Sequence, residues 1–148
     1  MKRAAIVLTT GFEEIEAIAP MDILRRAGVE VDIVGVTANV ETGSHDLTIS
    51  TDKELSKVMN ELYDVLILPG GMPGAKLLKN HQEVQEFVKL HYDAGKIIAA
   101  NCAAPIAIEN SGALKNRHYT CYPGFEKQIA DGTYTGDFVH QDGRVITG

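Results

Sequence analysis

Short apolar runs alternate with longer amphipathic windows along most of the chain. The apolar runs have the length of buried strands and span residues 4–8, 29–36, 63–68 and 96–101. Apolar residues spaced by three and four predict helices over 13–27, 54–60, 75–79, 82–94 and 102–110. Alternation of this kind predicts parallel βαβ units with helices on both faces of one sheet, so the expected fold class is α/β.

Local breaks in the pattern refine this prediction. Pro20 lies inside the first helical window and is expected to kink or break that helix. Turn residues around a short strand predict a hairpin-like excursion over 39–50. Asp142-Gly143, between two short apolar runs, favours a second hairpin. No repeat or linker interrupts the chain, and we expect one domain over 1–148.

Composition and charge narrow the class of partner. The chain has 148 residues, of which 45% are hydrophobic, and this length and composition fit one globular domain. A formal net charge of -6 offers no basic stripe for phosphates, so we expect no nucleic-acid partner. No apolar run is long enough for a membrane span and no secretory signal precedes the first strand. We therefore expect no membrane association and a cytoplasmic location.

Unusual residues follow three of the predicted strands. Residues 10–16 follow the first strand, 69–74 follow a central strand, and Cys102 stands where the last run meets a helix. In an open parallel sheet, sites form at the carboxyl ends of the strands near a topological switch point. The three junctions are therefore expected to converge at one edge of the sheet.

Cys102 carries the sharpest chemical signal. A cysteine at a strand-to-helix elbow lies in a tight, strained turn, and a helix N-terminus favours the reactive thiolate. Ala100, Ala103 and Ala104 leave room for a substrate to approach it. A buried core cysteine is the alternative, and the elbow position alone leaves both open.

Glu16 and the Pro69-Gly70-Gly71 turn are the candidate partners of Cys102. A desolvated Glu16 would stay protonated and donate a hydrogen bond to the thiolate, while the glycine loop presents backbone N–H groups to an oxyanion. The alternatives are that Glu13, Glu14 and Glu16 only complement the helix dipole, and that the glycines only form a turn.

The histidines do not indicate a metal site. His45, His81, His91, His118 and His140 lack metal-ligand spacing. His81 and His91 are predicted to lie on the surface or flank of a helix. His118 lies near Cys121, but two such residues do not make a site, so no metal or cofactor is expected.

Four segments together resemble the DJ-1 branch of the DJ-1/PfpI (ThiJ) superfamily. They are residues 11–16, 25–28, 63–71 and 99–105, and they match in order and spacing. The resemblance covers the whole chain and weakens after Asn110. It implies a flavodoxin-like three-layer sandwich with a mostly parallel central sheet, and usually a homodimer.

The resemblance also implies roles for individual residues. It makes Cys102 the reactive, easily oxidised cysteine, Glu16 the protonated carboxyl, and Gly71 and Ala103 the backbone donors of an oxyanion hole; Gly70 and Cys121 are possible pocket residues. The implied partner is a small reactive aldehyde or an oxidant. The implied activities are glutathione-independent glyoxalase conversion of methylglyoxal to lactate, deglycase repair and redox-linked chaperoning, all in stress protection.

Two other functions remain as alternatives. One is a non-catalytic redox sensor or redox-linked chaperone. The other is a cysteine peptidase of the PfpI type, against which Ala103 argues because that branch has a histidine after its cysteine. Cys121 also stands at the position where some relatives place a histidine.

The end of the chain departs from the resemblance as well. Relatives continue past residues equivalent to Ile146, Thr147 and Gly148 into a C-terminal helix. We therefore expect a C-terminally short form without that helix, in which an apolar sheet face is bare or covered by a partner.

Overall fold

Strands and helices follow each other in the computed structural model, which describes residues 1–148. The strands are β1 (Arg3–Leu8), β2 (Glu30–Gly35), β3 (Val40–Thr42), β4 (Thr48–Ser50), β5 (Lys53–Glu54), β6 (Val65–Leu68), β7 (Ile97–Ala100), β8 (His118–Tyr119), β9 (Thr133–Tyr134), β10 (His140–Asp142) and β11 (Val145–Thr147). The helices are α1 (Glu14–Arg26), α2 (Leu55–Val58), α3 (Gly74–Asn80) and α4 (Gln82–Asp93), with 3₁₀ turns at Ala104–Ala107, Glu109–Ser111 and Phe125–Gln128.

Seven strands form the central sheet, in the order β10-β11-β7-β6-β1-β2-β5. All neighbouring pairs are parallel except β10 with β11, which form the hairpin expected at Asp142-Gly143. Ile6 lies opposite Ile33 on one side and Ile67 on the other. After β1 the chain adds β2 and β5 on one side of that strand, and it then adds β6 and β7 on the other side. The boundary between β1 and β6 is therefore the topological switch point of the sheet.

Apolar side chains cover both faces of this sheet. A cluster of 22 buried residues, including Tyr63 and Phe87, lies on one face under α4. A smaller cluster of nine residues, including Phe12 and Met21, lies on the other face under α1. The result is the predicted mixed α/β sandwich with a mostly parallel sheet.

α1 begins and ends as its sequence indicates. The Glu13 side chain accepts a hydrogen bond from the Glu16 N–H at 2.9 Å and so caps the first turn. Arg25 and Arg26 lie in the last turn, where the helix dipole favours positive charge. Of the kink or break expected at Pro20, the break is wrong, because the helix runs through this residue from Glu14 to Arg26. Pro20 has no N–H to donate, and α1 stays continuous with the other hydrogen bonds of the helix.

The predicted helix over 102–110 is also wrong. Cys102 has a φ of 56°, which a right-handed helix cannot contain. Beyond it, Pro105 has no N–H, and Ala104, Ile106 and Ile108 each donate to the carbonyl three residues earlier. The segment therefore forms two 3₁₀ turns rather than an α-helix.

His91 lies in the core rather than on the predicted surface or flank. It continues the buried α4 row of Val84, Phe87 and Val88 and is 0% exposed. Its Nε2 accepts from the Tyr63 N–H at 3.0 Å, and its Nδ1 donates to the Phe87 carbonyl at 2.8 Å. Burial lowers the pKa of His91, so the ring is neutral and serves as a satisfied core group.

None of the helices combines the length and apolar character that a bilayer span requires.

Candidate active site at the carboxyl ends of β1, β6 and β7

The three predicted junctions do converge at one edge of the sheet. The loop after β6 contacts the loop after β1 through the Glu13 N–H, which donates to the Gly70 carbonyl at 2.9 Å. The Gly74 N–H donates to the Gly11 carbonyl at 3.3 Å. Cys102 follows β7, the strand next to β6. This places the cysteine beside the first turn of α1.

The backbone holds Cys102 in a left-handed conformation. Its φ of 56° is unfavourable for a residue with a Cβ, by about 1–2 kcal/mol. Two hydrogen bonds maintain it: the Cys102 N–H donates to the Gly148 carbonyl at 2.7 Å, and the Cys102 carbonyl accepts from the Tyr122 N–H at 2.8 Å. The expected strained elbow is therefore present, and the thiol is partly exposed.

Gly70 lets Glu16 and Cys102 approach each other. The Gly70 N–H donates to Glu16 Oε2 at 2.9 Å. A Cβ on Gly70 would lie 2.5 Å from that oxygen and 2.7 Å from the Cβ of Cys102. Glu16 and Cys102 can therefore lie this close together only because residue 70 has no side chain.

Two backbone N–H groups lie close to the sulfur. Those of Ala103 and Gly71 donate hydrogen bonds to Cys102 Sγ and favour its ionised form. Gly71 reaches this position with a φ of 93°, and its Cα lies so close to the backbone of Phe12 and Glu13 that no side chain fits there. The structure thus brings Glu16, Gly71 and Ala103 to the thiol.

The protonation of Glu16 and that of Cys102 depend on each other. Burial raises the pKa of Glu16, a hydrogen bond from the Cys102 thiol opposes this rise, and the charge of Glu13 adds to it. Burial also raises the pKa of Cys102 to about 11, with the charge of Glu16 and a hydrogen bond to its carboxylate adding to the effect. Because the Glu16 contribution exists only while that carboxyl is ionised, the two groups titrate as a pair and hold one proton between them.

This coupling corrects the source of reactivity expected for Cys102. The sequence suggested that a helix N-terminus would favour the thiolate, but no α-helix begins there and burial raises the thiol pKa. The groups that favour the thiolate are the backbone N–H donors of Ala103 and Gly71.

The three acidic residues at the start of α1 have different functions. Glu13 caps α1. Glu14 is buried and accepts from the N–H groups of His45 at 2.8 Å and Leu47 at 3.2 Å, which fastens the β3–β4 hairpin loop. Burial opposes ionisation of Glu14, but bonds from His45 and Leu47 prevail and lower its pKa to about 2. Only Glu16 faces Cys102.

A group of possible metal ligands lies nearby. Oxygen and nitrogen atoms of Glu13, Glu14 and His45 lie within 4.8 Å of one another. Hydrogen bonds within the protein already use the Glu13 and Glu14 carboxylates, so the geometry is explained by capping and loop attachment.

A cavity of about 390 Å³ opens beside Cys102. Glu16 and Cys121 line it, and Cys121 is a buried free thiol. The cavity also has lining residues that sequence reasoning missed: Asn101, Tyr122, Pro123, Tyr134, Gly136, Asp137, Phe138 and Gly148. Most of these residues follow Gly112, where the hydrophobic pattern is too weak to predict elements. In that part of the chain, Cys121 was the only residue that the sequence indicated as a pocket residue.

Comparisons with known proteins agree with this architecture. A model of the DJ-1/PfpI family matches residues 2–148. The Arabidopsis thaliana protein DJ-1 homolog B is 35% identical over 149 residues, which cover 99% of this chain and 34% of the relative. A Pyrococcus abyssi protein named as a deglycase is 32% identical over 127 residues, which cover 86% of this chain and 76% of the relative.

A solved structure gives the same result for the fold. A cysteine-to-alanine mutant of a DJ-1 superfamily protein from Salmonella typhimurium superposes with a TM-score of 0.95 at 35% identity, covering 100% of this chain and 81% of that one. The chain spans about a third of the length of the Arabidopsis relative.

Proposed function

The chain belongs to the DJ-1/PfpI family, in its DJ-1 branch, and from this premise we propose that it converts small reactive aldehydes into 2-hydroxy acids without glutathione. One observation carries the proposal. Cys102, held in a left-handed elbow, lies against the Glu16 carboxyl across Gly70, with N–H donors from Gly71 and Ala103 at the sulfur. A nucleophile and a proton carrier thus line one cavity, and backbone N–H donors adjoin the sulfur.

The first step joins sulfur to carbon. With the shared proton on Glu16, the Cys102 thiolate adds to the aldehyde carbon of methylglyoxal and forms a C–S bond. The carbonyl electron pair moves to oxygen, which the N–H groups of Gly71 and Ala103 stabilise before the Glu16 proton neutralises it. The product is a hemithioacetal.

The next steps move protons without a net change in oxidation state. The Glu16 carboxylate removes the hydrogen on the former aldehyde carbon, and the electrons form an enediolate whose charge lies on the former ketone oxygen. The hydroxyl proton passes from the first oxygen to the second, and Glu16 returns its proton to the neighbouring carbon, which gives a lactoyl thioester of Cys102. Water then cleaves the C–S bond and releases lactate, so methylglyoxal and water become lactate.

The cavity fits this chemistry. Its volume of about 390 Å³ accommodates a three-carbon dicarbonyl, and its mouth opens to solvent beside Tyr122 and Phe138. No histidine lines it, which leaves Glu16 as the proton carrier closest to the sulfur. The deglycase name of the Pyrococcus relative also supports carbonyl chemistry.

Lactate formation tests the proposal. We expect the protein to produce lactate from methylglyoxal in buffer with no glutathione, and in D₂O the lactate carries deuterium at C2 because the Glu16 proton exchanges with solvent. Glu16→Gln keeps a group that accepts from the Gly70 N–H but cannot relay a proton, so kcat falls by at least about 100-fold.

Two results would contradict it. Absence of lactate from the wild-type protein overturns the aldehyde function and favours the non-catalytic redox sensor, whose cysteine is oxidised without carbonyl turnover. A Glu16→Gln variant with the wild-type rate removes Glu16 from the mechanism.

We also propose that two copies associate through the outward face of α1. Ile15 and Ile23 are 74% and 63% exposed, and with Val139 they line an apolar cavity of about 510 Å³. Contiguous apolar surface of this kind marks interaction sites. Sedimentation velocity is expected to give twice the 16.0 kDa chain mass at micromolar concentration, whereas a 16.0 kDa species at all concentrations would contradict a dimer.

A further inference from the structure

We propose that Cys102 and Cys121 form an intramolecular disulfide after Cys102 reacts with a hydroperoxide, so that Cys121 acts as a resolving cysteine. These are the two cysteines of the chain, and both line the 390 Å³ cavity. They arrive from different elements, Cys102 after β7 and Cys121 after β8. Both thiols are free in the resting protein.

The backbone keeps the two cysteines within reach of each other. The Tyr122 N–H donates to the Cys102 carbonyl at 2.8 Å. This hydrogen bond joins the carbonyl group of Cys102 to the peptide group that follows Cys121. With standard covalent bond lengths in both groups, the Cα atoms of Cys102 and Cys121 are at most about 8 Å apart. Disulfides span about 4.4–6.8 Å between Cα atoms, so closure requires at most a small shift. Residues 122–124 are exposed and leave space for that shift.

The surroundings assign different roles to the two thiols. Burial raises the pKa of both thiols to about 11, so their exposure is what distinguishes them. Cys102 is partly exposed beside Glu16 and the N–H groups of Gly71 and Ala103, whereas Cys121 is only 5% exposed. A peroxide therefore meets Cys102 first, and Cys121 reacts only with an oxidised Cys102 beside it.

The first step oxidises the Cys102 sulfur. The thiolate attacks one peroxide oxygen, an S–O bond forms and the O–O bond breaks. Sulfur loses two electrons and the hydroperoxide gains them. The departing alkoxide takes the Glu16 proton and leaves as an alcohol. Cys102 becomes a sulfenic acid.

The second step forms the disulfide. Cys121 sulfur attacks the Cys102 sulfur, the S–S bond forms and the S–O bond breaks, and the hydroxyl group leaves with the Cys121 proton as water. A dithiol reductant then restores both thiols by exchange. The inference shares the reactive Cys102 with the proposed function, but it needs no aldehyde turnover.

Peptide mass spectrometry after peroxide treatment tests the inference. The wild-type protein is treated with one equivalent of hydrogen peroxide, alkylated under denaturing conditions and digested with trypsin without reductant. We expect an intact mass lower by two hydrogen atoms. The tryptic peptides 97–115 and 118–127, which carry Cys102 and Cys121, are expected to be joined.

Cys121→Ser is the matched variant, and Cys121→Ala repeats the test without placing a hydroxyl in the core. In both variants Cys102 is expected to gain one oxygen atom as a sulfenic acid, which a trapping reagent captures, and two oxygen atoms with excess peroxide. This gain of oxygen is expected to be at least tenfold faster than in the wild-type protein. Thermal unfolding confirms that each variant is folded.

The contrary result is equally clear. A wild-type protein that gains oxygen at the rate of these variants, with no joined peptides, overturns the inference. Lactate formation is measured separately on reduced protein without peroxide. Lactate without a cross-link contradicts only the resolving role of Cys121, and a cross-link without lactate contradicts only the aldehyde function.

Discussion

Replacing Cys102 with alanine is expected to reduce lactate formation from methylglyoxal to the uncatalysed rate. The C–S bond to the aldehyde carbon is the step on which every later proton transfer depends, and no other exposed nucleophile adjoins Glu16 in the cavity. The oxyanion donors of Gly71 and Ala103 remain but have no adduct to stabilise. Steady-state assays of lactate over a range of methylglyoxal concentrations measure the effect.

Cys102→Gly separates loss of chemistry from loss of structure. At a φ of 56°, a residue without a Cβ avoids the left-handed strain, so Cys102→Gly is expected to be more stable to urea than Cys102→Ala by about 1 kcal/mol. Both variants are inactive under the proposed mechanism. Substantial lactate formation by either variant would exclude Cys102 as the nucleophile, and equal unfolding free energies would contradict the strain.

The sequence predicts the strands that position this site because their signals are local. The apolar run 63–68 ends at Pro69-Gly70-Gly71, and the run 96–101 ends at Cys102. Hydrophobic periodicity and turn residues suffice for such elements. The parallel arrangement then places their carboxyl ends together, which is why Cys102 and Glu16 could be paired before the structure.

Features that depend on several elements at once could not be predicted. The left-handed Cys102 and Pro105 together exclude an α-helix over 102–110, although the composition of that segment permits one. The different tasks of Glu13 and Glu14 depend on which of them meets the β3–β4 loop. Their spacing along α1 does not reveal this.

Burial and charge coupling also lie beyond sequence patterns. The pKa of Cys102 depends on the distance to Glu16, on the surrounding apolar atoms and on N–H donors from another loop. The cavity wall formed around Tyr134 and Phe138 belongs to a part of the chain with weak periodicity. Such long-range contacts have no local signal.

Gly70→Ala is expected to lower kcat for lactate formation by at least about 100-fold. The added methyl would lie 2.5 Å from Glu16 Oε2 and 2.7 Å from the Cβ of Cys102, both closer than real contacts allow. The end of the Glu16 side chain is the part that can move, so the carboxyl leaves the sulfur and the proton relay is lost. Lactate assays of the variant measure the loss.

Gly95→Ala is the matched control for glycine replacement. Its φ of 76° imposes a backbone cost of about 1 kcal/mol, but a Cβ there meets nothing within 4 Å, so lactate formation is expected to stay at the wild-type rate. A double-mutant cycle then identifies what Gly70 does. If Gly70→Ala acts by displacing Glu16, adding it to Glu16→Gln lowers kcat by less than about tenfold, because that relay is already absent. Fully multiplicative losses would mean that the methyl acts on Cys102 or the loop instead, and wild-type activity of Gly70→Ala would show that catalysis does not need this close approach.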